Sequence, residues 1–189
     1  MRSLLLINFM TLLIYVMLFW LQDYGFQQAS TIASLIFLPH GWRVVSFFLF
    51  KFKALPGLWA GHIATCMIYF PDFAETPITY VMTSSASVAG LPLMYLLLKR
   101  LGWDLFAVRK DYPVIPWTSF MAMGLIATAW NGLAVSAAFA LTSERAFDVN
   151  IILQYGVGDT IGMVTFVGAL IAYFRWQRRR ASVPELRQP

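Results

Sequence analysis

Phe37-Leu38-Pro39-His40-Gly41-Trp42-Arg43 is a stretch of polar and helix-disturbing residues inside an otherwise apolar run. Proline removes a backbone donor and glycine weakens a helix, so a helix that contains both should kink or open here and leave carbonyl groups that need partners. If the run crosses a membrane, Arg43 lies near its middle, where a charge is costly unless it faces a cavity or an acidic partner. The stretch therefore predicts a broken membrane helix beside a polar site.

The composition is typical of a polytopic membrane protein. Of 189 residues, 59% are hydrophobic, 16% are aromatic and 12% are charged, and the mean hydropathy is +0.67. The net charge of +5 comes mainly from basic residues in short loops and in the C-terminal tail, so it indicates membrane topology and implies no nucleic acid. The single cysteine, Cys66, excludes an internal disulfide and a multi-cysteine metal site.

Six apolar runs are long enough, or nearly so, to cross about 30 Å of hydrocarbon. They lie at about 4–21, 30–50, 55–71, 78–98, 117–141 and 150–174. The first run lacks a cleavage site of the signal-peptidase type and is expected to remain as a helix. We predict an all-α, polytopic membrane helix bundle of about six transmembrane helices, with a single transmembrane domain over 1–175 and a basic cytoplasmic tail over 176–189.

The basic residues predict the orientation of the bundle. Twelve of the fourteen lysines and arginines fall on one side of this arrangement, whereas the opposite loops are mainly acidic. Because cytoplasmic loops are enriched in Lys and Arg, both termini are expected in the cytoplasm. The expected location is a bacterial inner membrane, with the lipid bilayer as the immediate partner.

Depth in the membrane connects the few polar residues of the apolar runs. At about 1.5 Å per residue, Arg43 and Asp159 lie roughly 12 Å and 14 Å from opposite ends of their runs, so both are near the midplane. Each is the other's most economical partner, so we predict an Arg43–Asp159 ion pair. His62 is at a similar depth and could bond to Asp159 or to a carbonyl freed at Pro39, and Asn131 lies somewhat further out.

Two roles are open for this polar core, whose candidate residues are Arg43, Asp159, His62, His40 and Asn131. A buried ion pair can fix the register of two helices, or it can line a site for a small ligand or an ion. His40 and His62 could also hold a haem, or join Asp159 at a metal, but no spacing signature supports either, so no cofactor and no metal are predicted. The sequence also lacks the hydrolase, metalloprotease and phosphate-loop motifs, which favours a protein that is not an enzyme.

Two pairs of glycines are spaced four residues apart, a spacing that lets helices approach closely in lipid. Together with the proline and glycine of the opening stretch, they give the positions where a kink or close packing is expected. These positions are Pro39, Gly41, Gly57, Gly61, Gly158 and Gly162.

The same stretches resemble the bacterial MASE1 integral membrane sensory domain. The similarity lies in Leu38–Arg43 with its Pro-x-Gly, in the basic turn and Pro-Gly of Phe50–Gly61, and in the Gly-Asp-x-x-Gly of Gly158–Met163. The resemblance implies a polytopic sensor domain that usually feeds a cytoplasmic kinase or cyclic-di-GMP enzyme. It also implies a shared core at Pro39, Gly41, Gly158, Asp159 and Gly162. The chain is shorter than the family norm and has no output domain after its basic tail, so signalling is expected to run through a separate protein.

These observations favour a non-enzymatic sensory or regulatory membrane protein of MASE1-like type. Its midplane polar site would respond to a small-molecule ligand or to a protein partner. Two other functions stay open. One is transport or capture of a small solute, with Arg43 holding an anionic group. The other is an accessory subunit of a larger membrane complex, in which the aromatic and glycine-rich faces pack against neighbouring helices.

Overall fold

The computed structural model describes residues 2–26, 35–69, 76–107, 117–143 and 147–181, and within them all regular structure is helical. The helices are α1 (Arg2–Phe26), α2 (Leu38–Phe50), α3 (Leu55–Tyr69), α4 (Pro77–Arg100), α5 (Trp117–Thr142) and α6 (Val149–Ala181). Five helical stretches of this described part are long and apolar enough to cross a membrane: Arg2–Gly25, Leu38–Tyr69, Pro77–Arg100, Thr118–Thr142 and Val149–Arg180. The all-α prediction is confirmed, and these helix lengths suit a multi-pass membrane protein.

The chain reverses direction between α2 and α3. Lys51 has a φ of 53°, which side-chain-bearing residues rarely adopt, and a 3-10 turn over Lys51–Ala54 leads into α3. On one side of this turn, Trp42 Nε1 donates to the carbonyl of Thr11 at 3.1 Å, and the N–H of Leu38 donates to Gln22 Oε1 at 3.0 Å. These two contacts show that α2 runs antiparallel to α1.

On the other side of the turn, α3 runs parallel to α1. The N–H of Gly57 donates to Asn8 Oδ1 at 2.7 Å near the start of both helices. The rings of Phe19 and Tyr69 meet near their ends, with centroids 4.8 Å apart. α2 and α3 therefore both lie against α1 and point in opposite directions.

The later helices continue this alternation. Trp130 Nε1 donates to the carbonyl of Ala86 at 2.9 Å, and Thr79 Oγ1 donates to the carbonyl of Thr142 at 3.1 Å, so α4 and α5 are antiparallel. α5 and α6 are antiparallel as well, and α6 runs parallel to α2.

α4 ends just before Gly102, on the same side of the bundle as the turn at Lys51. Gly102 has a φ of 88°, and its N–H donates to the carbonyl of Lys99 at 3.1 Å while the N–H of Trp103 donates to the carbonyl of Leu98 at 2.8 Å. This pair of bonds is the Schellman arrangement, which satisfies the last carbonyls of a helix and needs a left-handed residue at its centre. The chain then leaves the helix as a loop over 101–107.

α2 is the central helix of the bundle, because nine of its 13 residues are buried. It contributes to both apolar clusters of the core. One cluster groups Val44, Phe47, Leu91, Tyr95, Met123, Ala127 and Met163. The other groups Tyr15, Trp42, Ala54, Leu58 and Val88. Any shift of α2 would therefore disturb the packing of most of the other helices.

The second apolar run was predicted as one span over 30–50 that kinks or opens near Pro39. In the described part of this run α2 begins at Leu38, and Pro39 lies in its first turn. A proline is favourable there, since its missing N–H would have no partner inside the helix anyway. The backbone groups that lack a partner inside the helix are therefore N–H donors, whereas free carbonyls had been expected.

The other predicted spans agree with the helices to within a few residues, apart from the last. α6 continues to Ala181, so the first residues of the predicted tail over 176–189 are helical. Residues 30–34 of the second predicted span, residues 70 and 71 of the third, and residues 182–189 of the tail lie outside the described residues.

Candidate functional site

Arg43 of α2 and Asp159 of α6 meet inside the bundle. Arg43 Nη2 lies 3.5 Å from Asp159 Oδ2, and the two side chains are 1% and 0% exposed. The ion pair expected from their depth in the sequence is present. Since buried charges are costly unless they are paired and hydrogen-bonded, the surrounding residues decide how well this pair is held.

Arg43 is held by three helices at once. Its Nη1 donates to the carbonyl of Ser87 at 3.3 Å and also to the Ser87 hydroxyl, both on α4. Its Nη2 lies 2.9 Å from Nδ1 of His40, one turn earlier on α2. A guanidinium group presents five N–H donors in a rigid plane, so contacts to α2, α4 and α6 together fix its orientation.

His40 links the ion pair to α5. Its Nε2 lies 3.1 Å from Thr128 Oγ1 and 3.4 Å from the carbonyl of Gly124, while its Nδ1 faces Arg43 and also lies 3.3 Å from Asp159 Oδ2. A carbonyl only accepts and a guanidinium only donates. The arrangement that suits both is a neutral imidazole with its proton on Nε2 and its lone pair on Nδ1, facing Arg43.

Asn131 of α5 completes the contacts to the carboxylate. Its Nδ2 donates to Asp159 Oδ2 at 2.6 Å, and the side chain is fully buried. Asp159 Oδ2 therefore faces Arg43, His40 and Asn131, whereas Oδ1 has no hydrogen-bond partner among the described residues. Four of the five predicted core residues thus form one cluster.

Four buried polar atoms of this region have no hydrogen-bond partner among the described residues. They are Tyr15 Oη, Arg43 Nε, Asn131 Oδ1 and Asp159 Oδ1. Tyr15 projects from α1 and interacts electrostatically with both Arg43 and Asp159. Because buried polar groups in native proteins are nearly always bonded, such a group of unpaired atoms points to a function or a second state.

His62 does not join this cluster. Its Nδ1 lies 2.9 Å from Ser84 Oγ on α4 and 3.5 Å from Cys66 Sγ, one turn later on α3. The expected bond to Asp159, or to a carbonyl near Pro39, is therefore wrong, because α3 turns this side chain towards α4. No group of three or more metal-binding side chains occurs in the part of the chain that the structure describes.

The predicted packing positions lie at helix contacts. Gly57 and Gly61 face α1, where an added Cβ would meet the backbone of Asn8 and the ring of Tyr15. Gly41 faces Phe166 of α6 in the same way. Gly158 and Gly162 of α6 lie against Phe37, just before the start of α2.

The start of α2 is held against α6 and α1 by its released N–H groups. The N–H of Phe37 donates to the carbonyl of Gly158 at 2.9 Å, and the N–H of Leu38 donates to the Gln22 side chain. Gly162 lies so close to Phe37 that an added Cβ would overlap its backbone. The close contact explains why position 162, three residues after Asp159, is a glycine.

Sequence reasoning did not identify Gln22, Ser87, Thr128 or Tyr15. Ser87 stands in a small polar run of α4, which is a weak signal for a hydrogen-bonding role in a membrane helix. Gln22 has no such signal, because it follows an apolar run where a polar residue is expected to meet the membrane surface. Only the three-dimensional arrangement shows that it caps α2.

Comparison with known proteins gives no relative. The chain matches no family model, no curated protein and no solved structure. The resemblance to the MASE1 domain stays a prediction from the motifs.

Proposed function

We propose that this chain is a non-enzymatic, multi-pass regulatory protein of MASE1-like type. Its Arg43–Asp159 centre receives the signal, α2 carries it to the loop over 101–107, and a separate protein reads that loop. One observation carries the proposal: α2 touches the polar centre with its first turns and the loop with its last turns. The following contacts support this role.

At one end, α2 is attached through polar groups that can have two states. His40 and Arg43 face Asp159, and the preceding backbone is bonded to Gly158. A ligand or a proton that competes for Asp159 or Arg43 would weaken these bonds. Packed helices respond to such changes by discrete shifts, because their interfaces are not continuously deformable.

At the other end, α2 is attached through aromatic rings. Phe47 and Phe48 pack against Phe106 of the loop, with ring centroids 5.9 Å and 5.0 Å apart. Lys51 Nζ lies 4.9 Å from the centroid of the Phe106 ring, a cation–π distance. A shift of α2 would therefore move the ring that anchors the loop.

The loop itself is tied to α4 by Asp104. The N–H of Phe106 donates to Asp104 Oδ1 at 3.0 Å, and Lys99 Nζ lies 3.5 Å from Asp104 Oδ2. The bond from the Phe106 N–H lowers the pKa of Asp104, and the charge of Lys99 adds to this effect. The loop has a defined conformation that α2 can strengthen or release.

The proposed topology has six crossings with both termini in the cytoplasm of a bacterial cell. Two features support it: the basic residues lie mostly on one side of the predicted arrangement, and successive helices alternate in direction. In this orientation the loop over 101–107 is cytoplasmic, where a partner protein could reach it.

Labelling of the loop tests the proposal. Ala107→Cys is made in a Cys66→Ser chain, and the rate of maleimide coupling is measured in nanodiscs with and without Asp159→Asn. We expect faster coupling with Asp159→Asn, because the loss of the ion pair releases α2 and then Phe106. Asp148→Asn is the matched control, since Asp148 accepts the N–H of Asn150 at the start of α6 and asparagine can do the same. Equal coupling rates in all three chains would refute the proposal.

One observation favours a second candidate, capture or transport of a small anionic solute. Arg43 Nε is a buried donor without an acceptor among the described residues, and a carboxylate could supply one. Proteoliposomes test this directly: uptake of a labelled carboxylate that disappears with Arg43→Gln would favour transport over signalling.

A further inference from the structure

The two unpaired acceptors of the polar centre belong to side chains that already face each other. Asn131 Nδ2 donates to Asp159 Oδ2 at 2.6 Å, whereas Asn131 Oδ1 and Asp159 Oδ1 have no donor among the described residues. Turning the amide round would not help, because an amide oxygen would then face a carboxylate oxygen. An unpaired buried acceptor is unfavourable, because it has lost its hydrogen bonds to water without a replacement.

A proton on Asp159 would supply the hydrogen bond that Asp159 Oδ1 and Asn131 Oδ1 lack. Both oxygens are buried. A proton on the carboxyl group needs no additional space. It would let Oδ1 of Asp159 donate to Oδ1 of Asn131 while Nδ2 of Asn131 still donates to Oδ2, which is the two-bond pair of a carboxylic acid and an amide.

We propose that Asp159 is a proton-binding site whose protonated form pairs with Asn131 and gives up Arg43. The proton comes from the aqueous phase and forms an O–H bond at Asp159 Oδ1, and no electrons are transferred. The ionised form keeps the Arg43 pair that the structure shows. The site therefore has two hydrogen-bonding states that differ in whether Arg43 of α2 has a counter-charge on α6.

The groups around Asp159 decide which state is populated. From the other helices these are Tyr15 of α1 and His40 and Arg43 of α2, and Tyr155 lies on α6 itself. On α3, His62 and Cys66 contact each other, and His62 also faces Ser84 of α4. The facing residues of α4 and α5, Ser87, Thr128 and Asn131, carry no charge. With His40 neutral, Arg43 is the one cation of this set and it opposes protonation, whereas enclosure of the carboxylate favours it.

Protonation would leave Arg43 with an uncompensated charge, which is costly in a buried site. Arg43 would keep its hydrogen bonds to Ser87 and His40 but would lose the ion pair that holds it next to α6. The signalling role of this proton rests on the proposed function, because α2 must carry the change to the loop. The binding of the proton at Asp159 does not depend on that function, so proton binding and signalling can be tested separately.

Infrared difference spectroscopy of the full chain in nanodiscs detects the proton directly. Between about pH 9 and pH 4, where carboxyl groups of shifted pKa titrate, we expect the C=O band of a protonated carboxyl group to grow. This band should shift when aspartate is labelled with 13C at its carboxyl carbon. It should move to higher frequency in Asn131→Leu, which removes the hydrogen bonds of the amide, and it should remain unchanged in Asp104→Asn and Asp148→Asn.

The outcomes separate the two proposals. Loss of the band in Asp159→Asn, or its movement in Asn131→Leu if that first variant does not fold, supports the proton site. The proton site is overturned if the 13C-sensitive band has the same frequency in Asn131→Leu, or if no such band is found. If the band behaves as expected but the labelling rate of Ala107→Cys is unchanged by Asp159→Asn, the proton site stands and the signalling proposal fails.

Discussion

Replacement of Gly162 by alanine is expected to destabilise the contact between α6 and the start of α2. A Cβ at this position would overlap the backbone of Phe37, and backbone atoms cannot turn away as a flexible side chain can. In a helix, alanine is better than glycine by about 0.5–1 kcal/mol. Overpacking of a close contact costs about 1–3 kcal/mol. The collision outweighs the gain, so the free energy of unfolding should fall by about 1–2 kcal/mol.

Gly156→Ala is the matched control on the same helix. A Cβ there meets nothing within 4 Å in the part of the chain that the structure describes. Only the helix preference of alanine then acts, and the free energy of unfolding should stay the same or rise by up to about 1 kcal/mol. Unfolding can be followed in mixed micelles by coupling of a fluorescent maleimide to Cys66, the only cysteine of the chain, which is buried in the folded state. If the two variants are equally stable, the close contact between α6 and Phe37 does not exist as described.

Two further predictions concern charged contacts. Arg43→Asp or Asp159→Arg alone leaves like charges in the buried centre and should lower the free energy of unfolding by about 3–5 kcal/mol or more. The double exchange should recover part of the yield of folded protein, measured by gel filtration. No recovery would contradict the pairing of Arg43 with Asp159. Because the pKa of Asp104 is lowered in the folded protein, its contribution to stability should be complete above the ordinary pKa of about 3.9 and be lost as the pH falls through the lowered value. The difference in unfolding free energy between the parent chain and Asp104→Asn should therefore shrink in acid, and a difference that is independent of pH would contradict the bond from the Phe106 N–H.

The sequence was sufficient for those features that depend on position along a helix. Hydrophobic runs predicted where the helices lie, and counting residues predicted that Arg43 and Asp159 are at the same depth. The pairing follows, because two buried opposite charges at one level have few alternatives. Asn131 could be added to the candidates for the same reason.

The sequence was not sufficient for features that depend on the lateral arrangement of the helices. His62 is at the right depth for Asp159, but α3 lies against α1 and α4, so its partner is Ser84. The sequence left open whether the helix kinks or opens near Pro39. Pro39 lies in the first turn of α2, and this start depends on Gln22 and Gly158 accepting the released N–H groups. Neither acceptor is near Pro39 in the sequence.

The most direct test of the central claim is a double-mutant cycle between Asp159→Asn and Phe106→Ala, scored by the free energy of unfolding. Asp159 of α6 and Phe106 of the loop contact opposite ends of α2. The effects of two mutations at distant sites without shared contacts usually add to within about 0.5 kcal/mol. If α2 couples the polar centre to the loop, the effects should be non-additive by about 0.5–2 kcal/mol, whereas the control pair Asp148→Asn and Phe106→Ala should add. Additive effects in both cycles would contradict the claim that α2 connects the two.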